Sequence, residues 1–188
     1  PAQRDWLART RSGAAIAAFA LTEPGSGSDV AATATTATRV QGGWLIEGEK
    51  TWISNGGIAD VYVLFARTGE APGARGLSAF LMPADTPGLE VVERLEVIAP
   101  HPLATLRMKG MVLPEDALIG AEGAGWEQVT AELAFERSGP ERLYSSIVLF
   151  DQWLDFVRTP AGHTPQAQRL AGKIISQLAP LRALSISI

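Results

Sequence analysis

Along the first 119 residues, apolar and polar positions alternate in short runs punctuated by Gly and Pro, the signature of strands joined by tight turns. The first run, residues 14–21, is halted by Pro24-Gly25. Its alanines suit a short helix as well as a strand, but the Pro-Gly break favours a strand that ends in a loop. A Thr- and Ala-rich run at 31–40, the turn Gln41-Gly42-Gly43 and the segment Trp44-Leu45-Ile46 predict a β-hairpin, with residues 51–54 continuing the returning strand. Further strands are predicted at 61–66, 76–82 (stopped by Pro83), 89–97 and 106–113, before a turn at Pro114-Glu115-Asp116. Six or seven short strands at hairpin spacing predict a small antiparallel β-barrel or sandwich over 13–119.

The pattern changes at Gly120, Gly123 and Gly125, which mark a domain boundary. Beyond it, Trp126, Val129, Leu133 and Glu136 recur at helical spacing, so Glu136 falls on the apolar stripe. Ser138-Gly139-Pro140-Glu141 is a kink or restart with capping-box spacing. A second helical run reaches about Arg158, residues 159–164 form a loop, and residues 166–184 a third helix. The predicted fold class is thus α+β: a β domain at 13–119, then the first helices of an all-α bundle at 120–188. Residues 1–12, with Trp6 and Leu7 among charges, read as the tail of a preceding helical region.

Composition narrows the chemistry. Of 188 residues, 46% are apolar and 19% charged, which describes a folded globular chain. A net charge of −4 with no Lys/Arg run lacks the basic footprint of a nucleic-acid or anionic-membrane binder. Without cysteine there is no disulfide, thiolate nucleophile or Cys-based metal site, and the only imidazoles are His101 and His163. No stretch reaches the roughly 20 apolar residues of a membrane span and no basic-then-apolar leader opens the chain, so a cytoplasmic location is expected. A start at Pro1 and an end within a helical pattern suggest a fragment of a longer protein.

Candidate chemistry concentrates in the loop Thr22-Glu23-Pro24-Gly25-Ser26-Gly27-Ser28-Asp29. Two glycines let a ligand approach the main chain, while Thr22, Ser26 and Ser28 offer hydroxyl donors to phosphate or carbonyl oxygens. A plain Gly/Ser surface turn would have the same composition. About one hairpin later comes Thr51-Trp52-Ile53-Ser54-Asn55-Gly56. The two segments together, in this order, resemble the acyl-CoA dehydrogenase family. There, a Thr-Glu-Pro-x-x-Gly-Ser-Asp signature and a Trp-Ile-Ser/Thr-Asn-Gly segment hold the flavin of FAD in the middle β domain.

The resemblance implies roles residue by residue. Phe19, Leu21 and Thr22 would bind the isoalloxazine edge, and Gly27 and Ser28 would approach the FAD phosphates, with Ser28 also near the CoA arm. Trp52 and Ile53 would lie against the ring system and Ser54 would donate near its N5. Trp52 is otherwise a core strand aromatic, and Glu23 and Asp29 are turn-capping acids. Met108-Lys109-Gly110-Met111 departs from the acidic or aromatic residues expected before Pro114, a difference that bears on the pocket or a subunit contact.

Glu136 has two readings. Alone, a carboxylate on an apolar stripe is either an ion-pair partner of Arg137 or Arg142, or a base whose pKa burial raises toward neutrality. Within the family, Phe135-Glu136-Arg137 resembles the isovaleryl-like subset, whose catalytic Glu precedes an Arg on this helix; most other members take the base from a later helix. Arg137 is a weaker candidate for substrate contact. The reaction implied is α,β-dehydrogenation of an acyl-CoA thioester to the trans-2-enoyl-CoA, with Glu136 removing the α proton, FAD taking the hydride and electrons passing to an electron-transfer flavoprotein in a tetrameric enzyme. An oxygen-using acyl-CoA oxidase, or a non-catalytic flavin-binding subunit of a hetero-oligomer, are the competing readings. His101, between two prolines and without a second His at ligand spacing, is expected in a loop, and no metal site is expected.

Overall fold

The computed structural model describes residues 2–69, 71, 73–98, 100–138 and 144–186, with side chains 135–138 and 185–186 left outside that description. The chain divides into two compact units, Pro1–Val129 and Thr130–Ile188.

The first unit opens with helix α1 (Ala2–Arg11), tied to the turn after the last long strand by Gln3, whose Nε2 donates to the carbonyls of Asp116 and Leu118, both at 2.8 Å. The strands are β1 (Ala17–Ala20), β2 (Thr36–Val40), β3 (Gly43–Ser54), β4 (Val61–Arg67), β5 (Leu77–Pro83), β6 (Leu89–Leu95), β7 (Leu103–Pro114) and β8 (Leu118–Ile119). They build one sheet in the order β6-β7-β3-β2-β4-β5-β8, with β1 alongside β4. The ambiguous run 14–21 is therefore a strand at its centre.

Two features go beyond the expected antiparallel barrel or sandwich. The sheet is mixed, because β1 runs parallel to β4 from Ala17↔Val61 to Ala20↔Leu64 and β2 meets β4 in parallel at Thr36↔Arg67. The path also ends at β6 and β8 without closing. Hairpin spacing reveals only neighbours in sequence, whereas a parallel pair needs a crossover, here through the 22–35 loop and the β2–β3 hairpin. The predicted segments 44–46 and 51–54 are one 12-residue strand, β3, paired along most of its length with the equally long β7.

The largest core cluster lies on one face of this sheet, and β4 and β5 are buried on the other face as well, through Val61, Phe65, Leu77 and Ala79. Ile46, Ile53, Leu64, Phe80, Met82, Leu106, Met108, Met111 and Leu113 are all at most 1% exposed, and Trp44 meets Phe80 edge-on at 5.2 Å. Met108 and Met111, singled out for departing from the family pattern, are core residues. The intervening Gly110 adopts φ +58° and donates its N–H to Glu47 Oε1 at 2.7 Å.

Helix α2 (Gly125–Ser138) carries Val129 fully buried, Leu133 half-buried and Trp126 at 40% exposure. In the second unit, α3 (Ile147–Val157) and α4 (Pro165–Ile186) match the second and third predicted helices, with Arg158 capping α3. Glu141 and Arg142 lie outside the described residues. No helix of the described residues is long and apolar enough to cross a membrane.

Candidate functional site

The two sequence motifs meet side by side. The N–H of Thr51 donates to the carbonyl of Thr22 at 2.9 Å, and the ammonium of Lys50 donates to the carbonyl of Leu21 at 2.9 Å. Beyond Thr22 the chain makes a tight turn over Pro24-Gly25, closed by reciprocal backbone bonds between Glu23 and Ser26. Ser26 is buried and spends its hydroxyl on the Asp29 carbonyl at 2.7 Å, so it serves the turn itself. Gly27, Ser28 and Asp29 face outward. A Cβ at Gly25 or Gly27 would meet nothing within 4 Å, and neither residue has positive φ. Neither the conformation nor the packing of this chain demands glycine there, as expected where open backbone serves an external partner.

Glu23 does more than cap a turn. Its carboxylate is 6% exposed and accepts from Lys50 Nζ at 2.7 Å, from the Ala34 N–H at 2.7 Å and from the Thr35 N–H at 3.0 Å. One side chain thus joins the start and the end of the 23–35 loop. Burial alone would raise the Glu23 carboxyl, but the adjacent Lys50 charge and the donors around it hold it below the ordinary carboxylate value. Burial pulls Lys50 down to about 8 even though Glu23 favours its charged form. The same loop is gripped from its other side by Arg67, which donates to the carbonyls of Ala31, Thr33, Ala71 and Gly73. Neither Lys50 nor Arg67 was singled out in the sequence. The surviving signal is a lysine between Glu49 and Thr51 in a strand that must bury alternate residues.

The second motif breaks strand regularity. The β3–β7 register slips between Lys50 and Ile53, and in that bulge Trp52 takes φ +57°, a conformation that costs a bulky residue about 1–3 kcal/mol. Thr51 and Ile53 on either side are buried, the Thr51 hydroxyl pairing with that of Thr105 at 2.8 Å, while Trp52 stands 57% exposed. Trp52 is therefore not the core aromatic its strand would otherwise make it. Ser54 is exposed and shares a 2.9 Å hydrogen bond with Nε2 of His101, which sits in the expected loop. Asn55 follows with φ +61°, its N–H on the Pro102 carbonyl at 2.8 Å. At Gly56 a Cβ would lie 2.7 Å from the Ile53 carbonyl and 2.8 Å from the Ala104 Cβ, so only glycine fits.

Of the remaining predicted site residues, Phe19 is half-buried with its ring 5.0 Å from that of Phe65, and Leu21 and Ile53 are buried, leaving their main chains as contact groups. Thr22 is half-buried, and among the described residues neither its N–H nor its hydroxyl is hydrogen-bonded. Glu136 and Arg137 belong to α2 by their backbone, and their side chains lie outside the described residues. Among the described residues no cluster of His, Asp or Glu could hold a metal ion.

The sequence model of the acyl-CoA dehydrogenase middle domain matches residues 18–111, which span both motifs and most of the sheet. An acyl-CoA dehydrogenase of Bacillus subtilis is 38% identical over 136 residues, covering 71% of this chain and 36% of that protein. Among solved structures, the acyl-CoA dehydrogenase from Geobacillus kaustophilus superposes with a TM-score of 0.90 at 29% identity, over 98% of this chain and 52% of the other. PigA with FAD and proline superposes with a TM-score of 0.88 at 26% identity, over 97% and 51%. The chain belongs to the acyl-CoA dehydrogenase family and contains its middle domain. It spans about a third of the length of the curated relatives it matches.

Proposed function

We propose that the native protein is an FAD-dependent acyl-CoA dehydrogenase, converting an acyl-CoA thioester to the trans-2-enoyl-CoA. The observation that carries this reading is the junction of residues 21–23 with Lys50 and Thr51, which sets the unpartnered Thr22 donors beside the strand that carries a strained, exposed Trp52, with the open glycine backbone of Gly25 and Gly27 following in the same loop. Such a surface fits a large planar, acceptor-rich group. FAD, when bound, supplies the hydride acceptor.

The chain's own residues would do the rest. Thr22 offers an amide and a hydroxyl donor to the flavin edge, with the main chains of Phe19, Leu21 and Ile53 beside it. The Trp52 indole supplies a flat apolar wall. Ser54 supplies a second hydroxyl, whose orientation depends on His101 at 2.9 Å. Gly27 and Ser28 leave main-chain and hydroxyl groups open to phosphate oxygens, on the FAD and on the CoA arm. Glu136 is the base that removes the α proton, and Arg137 pairs with a carboxylate or steadies the loop rather than gripping the substrate. Middle-domain function resides in 13–119, and 120–188 begins the helical domain that carries the base. Electrons leave to an electron-transfer flavoprotein, and the enzyme works as a cytoplasmic tetramer in β-oxidation.

The test is an absorbance spectrum of the native protein, followed by anaerobic addition of a panel of acyl-CoA thioesters. Flavin bands that bleach with one class of thioester support the reading and name the substrate class. Bands that persist with every thioester favour a non-catalytic flavin-binding subunit, and absence of flavin leaves only the fold. Rapid reoxidation by air without an acceptor protein favours an oxidase.

A further inference from the structure

Lys50 is fully buried, yet no catalytic step of the proposed reaction uses it. Its ammonium has two partners, the Leu21 carbonyl at 2.9 Å and Glu23 Oε1 at 2.7 Å. The first of these has a consequence one atom away. A trans peptide is planar, with C=O and N–H pointing in opposite directions. The Leu21–Thr22 peptide is trans, so a Leu21 carbonyl drawn toward Lys50 turns the Thr22 N–H away from it. On the next peptide, the Thr22 carbonyl is drawn to the Thr51 N–H at 2.9 Å. Two successive carbonyls are thus held against β3, and the amide between them has no partner among the described residues.

We propose that Lys50 is a positioning residue, which holds the Leu21–Thr22 peptide so that the Thr22 N–H is a fixed outward donor for the flavin. Glu23 completes the device. It neutralises Lys50 and, through the Ala34 and Thr35 amides, anchors the far end of the loop that carries Gly27 and Ser28. A neutral side chain at position 50 leaves the Leu21 carbonyl without its donor, and the peptide is then free to rotate and find water. This inference rests on the FAD reading above.

The test uses the native protein with its cofactor. Wild type is compared with Lys50→Met and with the double variant Glu23→Gln/Lys50→Met, which leaves no unpaired charge in the core. The quantities read are the FAD dissociation constant, the visible flavin spectrum and the flavin reduction potential. Both variants are expected to bind FAD about tenfold more weakly, the cost of one well-placed hydrogen bond. Their potential should move to more negative values, because a fixed donor favours the electron-rich flavin. Amide exchange in the wild-type apoprotein gives an arm that needs no variant, with the Thr22 N–H expected to become protected when FAD is added. A folded variant with wild-type affinity, spectrum and potential overturns the proposal even if its melting temperature falls, and so does a Thr22 amide that FAD leaves unprotected. A wild-type protein unable to take up FAD overturns the cofactor reading and this proposal with it. Wild-type uptake with unaltered variants overturns the proposal alone.

Discussion

Glu23 and Lys50 are the charged side chains buried among the described residues, and each makes the other tolerable. Removing one partner strands a charge in the core, so Glu23→Ala is expected to cost about 3–5 kcal/mol in urea unfolding of the native protein. The pH dependence has a definite sign. Because the Glu23 pKa is lowered from 4.5 in the fold, the folded chain binds fewer protons than the unfolded chain there. Its contribution is complete above about pH 4.5 and is lost as the pH falls through the folded value; Glu23→Gln flattens this acid limb. Lys50 acts at the other end. With its pKa lowered from 10.5 to about 8, the unfolded chain holds that proton more firmly, and this group adds stability as the pH rises across that interval. Trp52 contrasts with Trp44. Trp44 is 1% exposed, and Trp44→Ala should cost about 3–5 kcal/mol, whereas in Trp52→Gly the relief of a positive φ is offset by glycine's backbone entropy and by the lost contacts of a partly covered indole, so apoprotein stability should change by less than about 1 kcal/mol. Urea melts of the two variants check the pair. The sequence alone left Trp52 balanced between a core strand aromatic and a residue lying against the flavin ring system, since alternation in a strand says which residues share a face only while the register holds, and the bulge breaks it.

Among the elements, β3 organises the site. It is long because it pairs with both β2 and β7, and its last residues carry the exposed aromatic and hydroxyl, while Lys50 and Thr51 reach back to residues 21–22. The turn that ends it depends on Gly56. Gly56→Ala forces a Cβ against the Ile53 carbonyl and Ala104, and thermal unfolding should report a loss of about 1–3 kcal/mol. Most strands were legible from their short apolar runs and Gly/Pro boundaries, as β4 and β5 illustrate. The parallel lie of β1 on β4 was not, because 40-odd residues of loop and hairpin separate the two, and no local pattern encodes which edge a strand joins.

Across the whole molecule, the residues proposed for the flavin edge belong to the first compact unit and Glu136 falls in the second. The proposed reaction assigns the proton to Glu136, so Glu136→Gln in the native protein should lower kcat for its acyl-CoA by about 10²–10⁴ while the flavin spectrum stays at wild-type values. Stopped-flow reduction of the flavin by thioester measures this. Unchanged turnover would move the base to another residue.

What the sequence by itself determined are the features written in consecutive residues. These are the strand-then-helix order, the loop chemistry of Thr22 to Asp29, the Thr51 to Gly56 segment and, through their order together, the family. What only the tertiary structure decided depends on residues far apart in the chain. Lys50 and Glu23 are 27 positions apart and look like two ordinary surface charges until folding removes both from water. The direction of the Thr22 amide likewise follows from a carbonyl held by a strand that begins more than 20 residues later. Burial and peptide orientation are properties of the packed sheet, and no window of sequence contains them.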